Sequence, residues 1–263
     1  MDLQLAGKRA FVSGSTQGIG HAIARALLRE GATVVITGRR EERVEAALSA
    51  LRDEVPGAQV SGVAADFARA EEVERLTASL GDVDILVNNV GVFDVAPFAS
   101  IDDAEWQRYF DVNVMSGVRL SRQVLPGMLT RGWGRVLFIA SESGVNVPEG
   151  MIHYGMTKAA TLAVANGLAK LTRGTDVTVN SVLGGPTYSD GVAQTVNAIA
   201  QAQNLAADDL KASIIESNRT SLLQRFLEPD EIADLVAYLA SPRASATNGA
   251  AVRADGGVLT AIL

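Results

Sequence analysis

The sequence predicts a single doubly wound α/β domain, a seven-stranded parallel sheet between layers of helices. Three observations carry this. Short runs rich in Val and Ile alternate with longer stretches of helical periodicity, almost to the end of the 263 residues. Several runs are apolar on consecutive positions, as expected of strands covered on both faces. The first run passes directly into a glycine-rich turn, SGSTQGIG, that opens a helix. No internal repeat, low-complexity tract or Pro/Ser-rich linker divides the chain, so residues 1–263 are expected to fold as one domain.

The elements follow in order. The candidate strands are RAFVS (9–13), TVVIT (33–37), VSGVA (60–64), DILVN (84–88), RVLFIA (135–140), TVNSVL (178–183) and AAVRA (250–254). Between the first two, Ile19, Ala22, Ile23, Ala26 and Leu27 keep three-and-four spacing, which marks a helix with one apolar stripe against the sheet. The stretch from Ser189 to Arg219 is helical in pattern and carries Val192, Val196, Ile199, Ala200 and Leu205, as an amphipathic lid would. A lid of that size points to an apolar substrate or one with a bulky tail, and Phe93, Val95, Val147 and Met151 are candidates to line its pocket.

Composition excludes several functions. The formal net charge of -7 comes without a basic block, which leaves nucleic acid and anionic membrane surfaces without an electrostatic attraction. No run of about 18 apolar residues appears, and the start MDLQLAGKRAF lacks an export signal, so a cytoplasmic protein is expected. There is no cysteine, and two histidines stand without a ligand cluster, so no metal chemistry is expected. The partner should be a small molecule.

The placement of SGSTQGIG, residues 13–20, matters more than its glycines. A strand-to-helix turn brings main-chain N–H groups and the positive end of a helix together, and Gly14, Gly18 and Gly20 let a pyrophosphate approach closely. Further along, HYGMTK places Tyr154 and Lys158 four apart, on one face of a helix. A tyrosine ordinarily ionises at about pH 10, and a neighbouring cation favours its phenolate.

With the spacing G-x-x-x-G-x-G, NNVG at 88–91, HYGMTK, and EPDEIADLVAYLAS at 228–241, essentially the whole chain resembles the short-chain dehydrogenase/reductase family, with its Rossmann-type fold. The resemblance implies a hydride transfer between NADP(H) or NAD(H) and a carbonyl or alcohol substrate. It implies that Tyr154 protonates the carbonyl oxygen while Lys158 lowers its pKa and binds the nicotinamide ribose. The family's serine, thirteen residues before the tyrosine, falls on Ser141, with Ser143 as competitor; Asn113 matches the asparagine whose main-chain carbonyl holds a water against the lysine. The cofactor set carried over is Gly14, Ser15, Gln17, Gly18, Ile19 and Gly20 in the loop, Asp66 and Phe67 beside the adenine, Asn89 and Gly91 by its ribose, Tyr154 and Lys158, and Pro186 and Thr187 at the nicotinamide.

Where NAD-preferring relatives place an aspartate, this chain has Gly38, followed by Arg39, with Arg40 and Arg43 nearby. A guanidinium grips a phosphate through paired hydrogen bonds, which favours NADP(H); the alternative is that these arginines pair with Glu41, Glu42 and Glu45. The loop also lacks the basic residue of many NADP users, with Gln17 near that place. Other departures are Val90 in NNVG, Gly184 where the family has proline, which loosens the loop after it, and Glu142 beside Ser141, facing solvent or favouring a cationic substrate. An NAD-dependent hydroxyacid or sugar dehydrogenase and a non-catalytic nucleotide sensor are the alternative functions. The resemblance also implies a homotetramer built on two long helices, here about 102–131 and 154–172, and on the carboxyl-terminal strand, to which the tail ADGGVLTAIL belongs, although that tail can equally dock on its own chain.

Overall fold

A computed structural model describes residues 1–262. All seven expected strands form: β1 (Arg9–Val12), β2 (Thr33–Gly38), β3 (Val60–Ala64), β4 (Ile85–Asn88), β5 (Trp133–Ile139), β6 (Asp176–Gly184) and β7 (Ala251–Ala254). They make one sheet in the order β3-β2-β1-β4-β5-β6-β7, every pairing parallel. Val12 is in register with Ile36 on one side and Val87 on the other, so three strands end together.

The helices are α1 (Gly18–Arg29), α2 (Glu41–Glu54), α3 (Ala70–Ser79), α4 (Asp103–Phe110), α5 (Ser116–Arg131), α6 (Ile152–Ala169), α7 (Asp190–Gln203), α8 (Ala207–Ser217) and α9 (Pro229–Ala240). One core layer joins Ile23 and Leu27 of α1, Val44 and Leu48 of α2 and Ile232 and Val236 of α9 to Ala10, Val12, Val34 and Ile36 of the sheet. The other joins Val73, Leu76, Leu120, Val124 and Met128 to Phe11, Val35, Leu86 and Val136. Neighbouring strand residues therefore serve opposite layers, which is why the strands read as unbroken apolar runs.

Two elements differ from expectation. The first long helix is α4 and α5 joined by a π turn at Asp111–Met115, a widened turn that moves the chain off ordinary helical register at Asn113. The 189–219 stretch is two helices, because Asn204 takes the left-handed conformation (φ 54) that asparagine tolerates and ends α7 there. The carboxyl-terminal tail docks on its own chain: the Arg253 guanidinium donates to the carbonyls of Leu259 and Ala261, the latter at 2.9 Å. No helix among the described residues is long and apolar enough to cross a membrane.

Candidate active site

The strand order reverses between β1 and β4, and a crevice must open there at the carboxyl ends of the strands. A cleft of about 1010 Å³ occupies it, bounded by the glycine loop, the end of β2, the end of β5, α6 and the α7–α8 pair. Gly14 (φ +62) and Gly18 (φ +59) hold left-handed conformations that only glycine adopts without strain. A side chain at Gly20 would sit 2.4 Å from the Gly14 carbonyl oxygen. The loop is thus pressed onto α1, and its first N–H groups are tied to β2, Gly14 N donating to Thr37 Oγ1 at 3.0 Å and Ser15 N to Thr37 O at 2.8 Å.

Of the loop residues carried over, Gly14, Gln17, Gly18, Ile19 and Gly20 line the cleft. Ser15 does not. It is fully buried, its Oγ donating to Val12 O at 2.6 Å and accepting from Thr37 N at 2.9 Å, so it clamps β1 to β2 beneath the loop. Asn89 borders the cleft with its side chain already committed: its amide donates to the carbonyls of Ser13 and Gly14 at 3.1 and 2.8 Å, fixing the loop to β4. Phe67 reaches the cleft from the core, only 4% exposed and packed among the residues of the second layer. Asp66 lines the cleft, its carboxylate accepting from Ala68 N at 3.0 Å.

At the end of β2, Arg39, Arg40 and Arg43 all border the cleft and are exposed. Among the described residues, none of them forms an ion pair, so the expected alternative of pairing with Glu41, Glu42 and Glu45 is not realised. At Gly38 an added Cβ would meet Thr16 Cγ2 at 2.4 Å, so an aspartate there requires Thr16 to move.

The opposite wall holds the reactive side chains. β5 ends just before Ser141, and the turn that follows packs tightly on α6: a side chain at Gly144 would meet the Lys158 main chain at 2.8 Å, and one at Gly155 would meet Ser143 O at 2.8 Å. These two glycines set Ser141 and Ser143 against the start of α6, where Tyr154 stands half-buried and Lys158 buried. Val147, expected in the pocket, turns instead to Gly155, while Phe93, Val95 and Met151 do line the cleft. Phe93 meets the Tyr154 ring edge-on, centroids 6.3 Å apart.

Ser141 donates its hydroxyl proton to Glu142 Oε2 and accepts from Ser143 N at 3.1 Å. Lys158 Nζ donates to Ile139 O at 2.8 Å and lies 5.5 Å from the Tyr154 ring centroid. Asn113, buried in the π turn, donates to Val92 O and Thr157 Oγ1 and accepts from Val92 N at 2.7 Å. Gly91 sits beside both, its would-be Cβ 3.6 Å from Asn113 Oδ1 and from Lys158 Nζ.

Burial is the largest influence on both titrating groups. It pushes the Tyr154 phenol above its ordinary value, against the pull of the Ser141 hydroxyl and with the charge of Glu142. It lowers Lys158 from 10.5 to about 8, the charge of Glu142 opposing. The lowering of Tyr154 by Lys158 expected from the sequence is therefore not seen in the chain alone, where the ammonium is directed at the Ile139 carbonyl.

The loop after β6 is not loose despite Gly184. Gly185 N donates to Ala254 O at 3.1 Å, and a side chain at Gly185 would collide with the Asp255 main chain at 2.5 Å. Thr187 forms a bridge to Leu227, with Leu227 N donating to Pro186 O at 2.8 Å. This pairing supplies the order that a proline would otherwise give. Pro186 and Thr187 both line the cleft.

Three site residues escape sequence reasoning. Thr157 links Asn113 to α6, and Thr16 fills the space beside Gly38. Asp190, first residue of α7, accepts from Gly18 N at 2.6 Å across 172 positions of sequence. The Ser-Asp pair at 189–190 signals a helix start, but nothing local signals that contact.

The arrangement can bind an anion at the loop and place a carbonyl oxygen near a serine hydroxyl and a phenol. Comparison with known proteins agrees. A family model described as short chain dehydrogenase matches residues 8–200. The chain is 45% identical to an uncharacterised oxidoreductase, YvaG, of Bacillus subtilis, covering all of both chains. It is 31% identical to a D-beta-hydroxybutyrate dehydrogenase of Cupriavidus necator, covering 96% of this chain and 98% of that one. Among solved structures it superposes on L-sorbose reductase from Gluconobacter frateurii, complexed with NADPH and L-sorbose, with a TM-score of 0.93, 32% identity and full coverage of both.

Proposed function

From a chain that belongs to the short-chain dehydrogenase/reductase family, and is with it an NAD(P)-dependent oxidoreductase, we propose a carbonyl reductase or alcohol dehydrogenase that uses NADP(H). The observation that carries the reading is the meeting of Ser141 and Tyr154 at one wall of a cleft whose other wall is the glycine loop, with Lys158 and Asn113 buried beside them. The residues fit a dinucleotide. An anion, the Asp190 carboxylate, already sits on a loop N–H, and three guanidiniums without an ion pair border the cleft at the end of β2, which supports binding of an adenosine 2′-phosphate.

In this reading Gly14, Gln17, Gly18, Ile19 and Gly20 cradle the pyrophosphate, Arg39 grips the 2′-phosphate, Asp66 and Phe67 flank the adenine, and Asn89 and Gly91 border its ribose. Pro186 and Thr187 hold the carboxamide side. When bound, the nicotinamide supplies or accepts a hydride. Ser141 turns its hydroxyl to the substrate oxygen, Tyr154 delivers the proton to that oxygen, and Lys158 turns from Ile139 toward the ribose and the phenol. A cation near Tyr154 then offsets the burial that raises its pKa. The π turn at Asn113 supports a role for its main-chain carbonyl in a proton path behind Lys158. The α7–α8 pair serves as the lid. Although the loop carries Gln17 in place of a basic residue, the crowding of Gly38 by Thr16, which disfavours an acid there, supports NADP(H) over NAD(H).

A homotetramer in the cytoplasm completes the proposal, to be checked by light scattering. The function is tested by fluorescence titration with NADPH and NADH, then by adding ketones, aldehydes and 3-oxoacyl thioesters. Tighter NADPH binding with oxidation by a carbonyl compound supports it. Tight binding with no turnover anywhere would return the nucleotide-sensor reading, and preference for NADH would return the NAD-dependent dehydrogenase.

A further inference from the structure

We propose that Glu142 selects carbonyl substrates bearing a hydroxyl on the carbon next to the carbonyl. The inference rests on the carbonyl-reduction reading above and adds to it a substrate class and the residue that reads it.

Ser141 has one hydroxyl proton, and it goes to Glu142 Oε2. The same oxygen accepts from Ser143 N at 2.5 Å and Ser143 Oγ at 3.1 Å, so the carboxylate is fixed in place by its neighbours. An ionised carboxylate only accepts, and a serine hydroxyl cannot donate in two directions at once. For Ser141 to donate to a substrate oxygen, Glu142 must give up that donor. Glu142 Oε2 then keeps only Ser143 N and Oγ, and Oε1 has no donor among the described residues, so the carboxylate is left with free acceptor capacity at the cleft wall.

A simple ketone offers no replacement. A hydroxyl beside the carbonyl does: the carboxylate lies one hydrogen bond beyond Ser141 Oγ, so a group on the adjacent carbon is the one placed to reach it. The vacancy is for a hydrogen bond rather than for a charge. Lys158 already lies within the field of Glu142, and Arg108, a cationic residue of the cleft lining, is taken by Glu105 through bonds of 2.7 and 2.6 Å. This favours a neutral hydroxyl over an ammonium group.

The test compares substrates that differ only in that group: 3-hydroxy-2-butanone against 2-butanone, and 2-hydroxy-1-phenylethanone against acetophenone, with 2-amino-1-phenylethanone as the charged counterpart. With NADPH, kcat/KM should favour each hydroxyketone by about ten- to a hundredfold, less than for a fully buried site because Glu142 is half-buried. In Glu142→Ala the hydroxyketones should lose and the simple ketones gain, since Ser141 is freed, bringing each pair within about threefold. Glu142→Gln, which keeps an acceptor oxygen, should restore part of the preference. Equal use of both members of each pair, an equal fall for both in Glu142→Ala, or preference for the aminoketone overturns the inference while leaving carbonyl reduction standing. Inactivity of the wild type on every ketone overturns the underlying reading and this inference with it.

Discussion

The Asp190 carboxylate accepts a hydrogen bond from the Gly18 main-chain N–H at 2.6 Å, tying the first residue of α7 to the first residue of α1. The Gln17 side chain does not cap α1, so Asp190 performs that service from across the cleft. A pyrophosphate held by the glycine loop needs the same N–H and carries the same sign of charge. In the proposed binding mode the cofactor is expected to displace Asp190 and shift the start of α7. Asp190→Asn should therefore tighten NADPH binding by about three- to tenfold, the modest size following from the exposure of the carboxylate. Fluorescence titration reads this directly, and weaker binding would show that Asp190 assists the cofactor instead.

Removing the Arg39 guanidinium should separate the two nicotinamide cofactors. Arg39→Ala is expected to raise the Kd for NADPH by about ten- to a hundredfold and to leave that for NADH within about threefold, because only the former offers a phosphate at this place. Equal weakening of both would assign Arg39 to the adenine or to the loop.

The reverse exchange should fail as a single step. Gly38→Asp puts a Cβ 2.4 Å from Thr16 Cγ2, so the variant should lose stability and gain no useful NADH binding. Gly38→Asp with Thr16→Gly removes the collision. The double variant should recover thermal stability and bind NADH more tightly than wild type, as measured by Tm and titration.

Lys158 gives a pH dependence of stability. Burial lowers its pKa from 10.5 to about 8, so below pH 8 the folded chain carries the full cost of a buried ammonium. Between about 8 and 10.5 the unfolded chain binds the proton more tightly than the folded one, and this contribution to stability rises with pH. In the ligand-free protein, Lys158→Met should be more stable than wild type at pH 7, by about 1–3 kcal/mol, with the gap narrowing toward pH 10. Denaturant titrations at pH 7 and pH 9.5 check it, and a gap that widens with pH would contradict the assignment.

The sheet was legible because its signal is local: consecutive apolar residues, as in Val34, Val35 and Ile36, serve two core layers, and both layers can be inferred from the run itself. The grouping of Ser141, Tyr154 and Lys158 was legible through their spacing. The task of Ser15 was not, since a serine in a glycine loop reads the same whether its hydroxyl faces a ligand or, as here, clamps two strands. The direction of the Tyr154 pKa was missed because burial has no sequence signature comparable to a lysine four residues on. Asp190 and Thr16 depend on tertiary approach alone.

Hydride transfer to a carbonyl carbon is the central claim, and isotope transfer tests it most directly. NADPH carrying deuterium at the transferable position of its nicotinamide is incubated with the protein and a ketone that it consumes, and the product alcohol is weighed by mass spectrometry. One deuterium on the carbinol carbon is expected with wild type. With Tyr154→Phe, which keeps the ring and removes the proposed proton donor, product formation should fall by at least about a thousandfold. Alcohol formed without deuterium, or undiminished turnover in Tyr154→Phe, would contradict the assignment of the reaction to this cleft.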